Sequence, residues 1–204
     1  MAVTLTTPNT LLGTVAPKAN SARLASGIAT VVLGTLFITL CSKINVPTWP
    51  ISVTLQTLAV AMVAAAFGAR IGVATVALYI VEGLSGLPVF SVGGGPLYAL
   101  SPAFGFILGF LPMAFIIGRA ADMGLSRKLV QLFAVMLAAD ALCFVIGVAW
   151  LAVYIGSKSG TGFVAALPPA FNAGALPFLL WDLLKMAFAA ITLTGAWGLV
   201  RKAS

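Results

Sequence analysis

Histidine is absent from this chain of 204 residues. Its absence removes the commonest general base and the commonest metal ligand together. Acidic residues are nearly as scarce, four in all, and charged residues make up only 7% of the chain. A water-soluble domain carries about 25%, so there is too little polar surface here to cover a soluble globule. Cysteine occurs twice, Cys41 and Cys143, inside apolar runs and without metal or redox spacing. Both read as small hydrophobes. The run Gly93-Gly94-Gly95-Pro96 lacks the following Lys and Ser/Thr of a phosphate loop. With no His, no acids paired at fixed spacing and no activated Cys, nothing in the sequence supports an intramembrane enzyme; no catalytic residue and no metal ligand is assigned. The eleven Lys and Arg are scattered rather than clustered, which excludes a nucleic-acid surface.

What is present is apolar: 61% of the residues are hydrophobic and the mean hydropathy is +1.15. This is an all-α integral membrane protein whose surroundings are a lipid bilayer. Residues 1–22 are rich in Thr, Pro and Ala and lack the apolar core of a cleavable signal. They read as a cytoplasmic N-terminal tail, followed by a single membrane domain over 23–202. Six apolar segments are marked off, at 24–41, 54–67, 71–82, 103–118, 129–153 and 176–200. With six spans and both termini inside, Lys18, Arg23, Arg70, Arg119, Arg127, Lys128, Arg201 and Lys202 are cytoplasmic. Only Lys43 and Lys158 lie outside. That eight-to-two asymmetry favours a six-helix bundle, N-in and C-in, over a five-span reading that strands Arg70 in the membrane. The second and third segments are short, so the outer loops beside them must dip inward, which non-helical backbone does only where it lines a cavity or is covered. The three outer loops, 42–53, 83–102 and the Gly/Pro-rich 154–172, therefore imply a ligand pocket opening to the outer face.

Asp182 and Lys185 are the only charged side chains between Ala173 and Val200. Three residues apart, they share one helix face, and each costs ~2.5–3.5 kcal/mol to insert. They form either a structural ion pair or the polar floor of the pocket, the carboxylate accepting N–H donors. The segment reading places Asp182 about a turn and a half below the start of its helix. Asp140 in the fifth segment reads as a packing or interhelical residue. Glu82 reads equally as a pocket residue or a staple for its loop. Gln56 and Thr57 either cap the second helix or offer uncharged donors and acceptors to a ligand. Gly93, Gly94 and Gly95 provide backbone that a ligand can approach closely. Trp49, Phe90, Tyr98 and Trp181 supply an apolar lining. On the first segment Ala22, Ala25, Ser26, Gly27, Ala29 and Thr30 form a small-residue stripe, including Ala25-x-x-x-Ala29, that allows close helix approach.

These residues together resemble the BioY family, the biotin-specific substrate-binding (S) components of energy-coupling factor (ECF) transporters. Pro50-Ile51-Ser52-Val53-Thr54-Leu55-Gln56-Thr57 is similar to the family's Pro-Val-Pro-Ile-Thr-Leu-Gln-Thr. The stretch Tyr79-x-x-Glu82-Gly83-x-x-Gly86-Leu87-Pro88-Val89-Phe90, the segment Ser101-Pro102-x-x-Gly105-x-x-x-Gly109-Phe110 and the pair Asp182-x-x-Lys185 follow in family order. The resemblance runs from about Arg23 to Lys202. It implies biotin as transported ligand with no cofactor, capture near the outer face of the bacterial cytoplasmic membrane, and partnership with a transmembrane coupling subunit and two cytoplasmic ATPases. It carries biotin binding onto Asp182 and Lys185, with Gln56 and Thr54 closing from the first loop and Tyr79 and Glu82 in the third segment. It carries coupling-subunit docking onto Ala25 and Ala29. Departures are Ser52 for the family's second Pro, Ala103, Phe104 and Phe106 for Thr, Gly and Tyr, and no cation between Arg70 and Arg119. Tyr98, the N–H groups near Gly93 to Gly95, or Lys185 then serves the biotin carboxylate. The alternative class is a self-sufficient secondary transporter driven by protons through Glu82, Asp140 and Asp182, although no internal repeat of the kind common in such proteins is evident.

Overall fold

The computed structural model describes residues 9–15 and 19–203, the last three by their backbone. The expectations for Lys18, for the side chains of Arg201 and Lys202, and for half of the 1–22 tail lie outside the described residues. Within them the chain forms α1 (Leu11–Val15), α2 (Asn20–Lys43), α3 (Gln56–Phe67), α4 (Ala69–Leu84), α5 (Phe104–Asp122), α6 (Leu129–Ser159), α7 (Gly162–Gly174) and α8 (Leu179–Ala203). Four of these, α2, α5, α6 and α8, are long and apolar enough to cross a membrane. The helices α3 and α4 have 12 and 16 residues. At 1.5 Å per residue they extend only about 18 and 24 Å, less than the ~30 Å hydrocarbon core. Leu24, Ile28, Val32, Leu33, Leu36 and Leu40 leave one side of α2 broadly apolar and exposed. Such a surface has no place in water but suits lipid, so the chain is a multi-pass membrane protein.

The Ala-rich α3 is buried on nearly every side, and α5 packs against α3, α4 and α6. The link between α3 and α4 is the single residue Gly68, at φ 86°. A side chain there would strike the Asp122 carboxylate, which sits at the end of α5 and accepts the Ala69 N–H at 3.3 Å. Asp122, assigned no role from sequence, thus ties two helix ends together. At the same end Trp197 Nε1 donates to Ser126 Oγ at 3.0 Å and Arg127 lies 4.3 Å over the Trp197 ring.

Two expectations need correction. Residues 42–53 are not a plain loop in an all-α protein: β1 (Asn45–Val46) and β2 (Val53–Thr54) pair antiparallel, Asn45 opposite Thr54. The ribbon satisfies backbone groups that would otherwise dangle beside the membrane. Residues 154–172 are not a connecting loop either. The helix α6 continues to Ser159, and α7 runs through Pro168 and Pro169. Proline removes i→i−4 bonds, but Ala166, Ala170 and Gly174, spaced by four, bury a small-residue face as α7 packs against α6. Close packing outweighs the local penalty.

Candidate functional site

A cavity of about 90 Å³ opens between α3, α5, α6 and the start of α8. Its polar floor is Asp182, Lys185 and Thr57. The helix α8 begins at Leu179, so Asp182 falls in its first turn, higher than the sequence segments implied. A carboxylate there also faces the positive end of the helix dipole. Asp182 Oδ1 accepts from Thr57 Oγ1 at 2.5 Å and from Lys185 Nζ at 2.9 Å. Lys185 Nζ donates further to the Thr54 carbonyl at 2.8 Å and to Thr57 Oγ1 at 3.1 Å. All three ammonium protons are therefore committed within the protein. Asp182 is 2% exposed and Lys185 8%, so each charge depends on the other for compensation. Oδ2 of Asp182 takes no hydrogen bond among the described residues and remains available at the cavity.

The segment from the β-ribbon to the start of α3 forms one wall. Thr54 Oγ1 donates to Gln56 Oε1 at 2.9 Å, and Gln56 Nε2 donates to Tyr79 OH at 2.7 Å. The Tyr79 hydroxyl passes the chain on to the Val89 carbonyl at 3.0 Å. Thr54, Gln56 and Tyr98 line the cavity; Tyr79, fully buried, stands behind Gln56 and holds it. Tyr98 faces Ser91 with 3.4 Å between hydroxyl oxygens, and its ring lies 4.5 Å from that of Phe90. Burial pushes the Tyr98 phenol up, with the Ser91 contact opposing it, so it lines the cavity as a neutral hydroxyl.

Besides Tyr79, the sequence candidates Glu82, Gly93, Gly94, Gly95, Trp49, Phe90 and Trp181 are absent from the cavity lining. Phe90 is buried in the core behind Tyr98, and Trp181 is exposed on the outside of α8. Glu82 accepts from Thr35 Oγ1 at 3.2 Å, joining α4 to α2. Gly93 and Gly94 fold back on their own loop: Gly93 exchanges backbone hydrogen bonds with Phe90, and a side chain at Gly94 would meet the Leu87 carbonyl. Trp49 is 89% exposed. The cavity instead recruits Phe106, named from sequence only as a departure from the family's Tyr, together with Phe144 and Phe178, which sequence reasoning did not name. Thirteen phenylalanines in an apolar chain give no pattern that selects three. Phe178 alone carried a positional signal, one turn ahead of Asp182. Asp140, buried in α6, has an Oδ1 without a hydrogen-bond partner among the described residues. No three metal-ligating side chains converge among the described residues.

A multi-helix membrane bundle enclosing a small cavity, with one available carboxylate oxygen at its floor, defines a membrane protein built to hold a small ligand. Residues 14–202 match the BioY family, and the chain belongs to that family. A probable biotin transporter BioY of Pyrococcus horikoshii is 32% identical over 165 residues, spanning 79% of this chain and 91% of that protein. A biotin transporter BioY of Thermotoga maritima is 30% identical over 158 residues, spanning 77% and 87%. The crystal structure of the S-component for biotin from an ECF-type ABC transporter superposes with a TM-score of 0.72, at 19% identity, covering 89% of this chain and 95% of that one. At that identity the likeness is one of fold.

Proposed function

We propose that this chain captures biotin at the outer face of a bacterial cytoplasmic membrane as the S component of an ECF transporter. The observation that carries the reading is the asymmetry at Asp182. One oxygen is neutralised by Lys185 and Thr57, and the other is left for a ligand. A cyclic urea offers uncharged N–H donors to such an acceptor and carries the rest of its bulk as apolar surface. Lys185 then orients Asp182 and latches Thr54, rather than meeting the ligand itself. Tyr98 adds a neutral hydroxyl to the cavity lining and is the group offered to the carboxylate tail.

In this reading residues 23–202 form one domain of six transmembrane helices (α2 to α6 and α8), N-in and C-in, with α7 packed on the outer half of α6. Ala25 and Ala29, exposed on α2, face the coupling subunit, and two cytoplasmic ATPases supply the energy that a chain without a phosphate loop cannot. The test is whether protein purified in detergent retains biotin by mass spectrometry and binds added biotin by calorimetry. Absence of both would refute it. The partnerless Oδ1 of Asp140 favours one second reading, proton-driven uptake by this chain alone. Biotin accumulation driven by a pH gradient, in liposomes holding only this protein, would establish that alternative.

A further inference from the structure

We propose that Phe106, Phe144 and Phe178 form an aromatic tier that recognises a sulfur-containing ring of the ligand, one helical turn above the Asp182 floor. The proposal rests on the biotin reading and adds what selects the second ring. The Asp182 N–H donates to the Phe178 carbonyl at 2.8 Å. The two side chains are therefore one turn apart, about 5.4 Å along the axis. Biotin's two rings are fused back to back, urea on one side and thioether on the other. With one urea N–H on Asp182 Oδ2, the thioether ring, across the fusion bond, is set toward the aromatic wall that begins one turn away at Phe178.

The three rings are arranged for such a guest. Phe106 and Phe144 have centroids 6.0 Å apart with planes at 82°, and Phe144 and Phe178 are 6.3 Å apart at 55°. Tilted rings present edges as well as faces, and thioether sulfur is best received at a ring edge, ~5 Å away. Each phenylalanine comes from a different element: α5, α6 and the turn before α8. The position of Phe106 is built in by two glycines on two helices. A side chain at Gly147 would strike the Phe106 ring, and one at Gly174 would sit 3.3 Å from its tip. The glycines let the ring lie back so that the cavity stays open.

Affinities for biotin, desthiobiotin (no sulfur) and biotin sulfone, measured by calorimetry on the full-length protein, test this. In wild type the sulfone should bind about tenfold to hundredfold more weakly than biotin, its oxygens unsatisfied in the aromatic tier. Phe144→Leu should weaken biotin by up to about tenfold while leaving desthiobiotin nearly unchanged. Gly147→Ala should drive Phe106 inward and weaken every ligand. Wild-type protein that binds sulfone as tightly as biotin, or a Phe144→Leu variant that keeps the biotin-to-desthiobiotin ratio, would overturn the tier while leaving biotin capture standing. Wild-type protein that binds none of the three overturns both.

Discussion

Removing Lys185 tests whether the buried pair is a staple or the floor of a site. Its ammonium has three acceptors, Thr54 O, Thr57 Oγ1 and Asp182 Oδ1. In Lys185→Met, Asp182 is left 2% exposed by its native burial with only the Thr57 hydroxyl for compensation. Isolating one partner of a buried pair costs ~3–5 kcal/mol. Asp182→Asn should cost a similar amount by leaving the ammonium without its counter-charge. The double variant removes both charges, and replacing a buried pair by neutral groups is often near neutral. Thermal unfolding in detergent should therefore show two strongly destabilised single variants and a double variant that recovers most of the loss. Biotin affinity should follow a different pattern. Both single variants and the double should fall at least tenfold, ~1.4 kcal/mol, because the acceptor is lost or the Thr54 latch is released. A double variant with recovered stability and wild-type affinity would make the pair a staple only. A double variant no more stable than either single would refute the charge-compensation reasoning itself.

Tyr79→Phe removes the hydroxyl between Gln56 Nε2 and Val89 O; Val89 O keeps its bond from Ser42 Oγ, but leaving Gln56 Nε2 unpaired should cost ~1–3 kcal/mol in thermal unfolding, with biotin affinity weakened less than in Asp182→Asn. Gly68→Ala places a side chain at φ 86° against the Asp122 carboxylate and should destabilise by ~1–3 kcal/mol, with biotin affinity of the folded fraction unchanged by calorimetry. Trp49→Ala, at an 89% exposed position, should shift stability by no more than ~0.5 kcal/mol and leave affinity unchanged; a tenfold loss would bring Trp49 into the site.

What sequence could reveal about this site depended on how rare each residue type is in its surroundings. Asp182 and Lys185 were legible because two charges in an apolar segment stand out against nothing, and their spacing alone predicts that they meet. The structure adds what spacing cannot carry: Thr57 and Thr54, from the other end of the chain, consume the remaining protons of Lys185. Gln56 was legible as a polar residue at a membrane entry, yet its partner Tyr79 is set by the packing of α3 beside α4, 23 positions apart in sequence. The helix α7 was misread for the opposite reason. Its Gly and Pro residues signal a loop locally, while the Ala166–Ala170–Gly174 face matters only once α6 is present to receive it. The same applies to Phe106, Phe144 and Phe178. An apolar residue in a membrane chain is equally suited to lipid, core or cavity. Only tertiary contacts, here the space left by Gly147 and Gly174, decide which it serves. Polar chemistry in this protein is therefore written where charge is scarce, and ligand shape is written in the absence of side chains at glycines distant in sequence from the groups they admit.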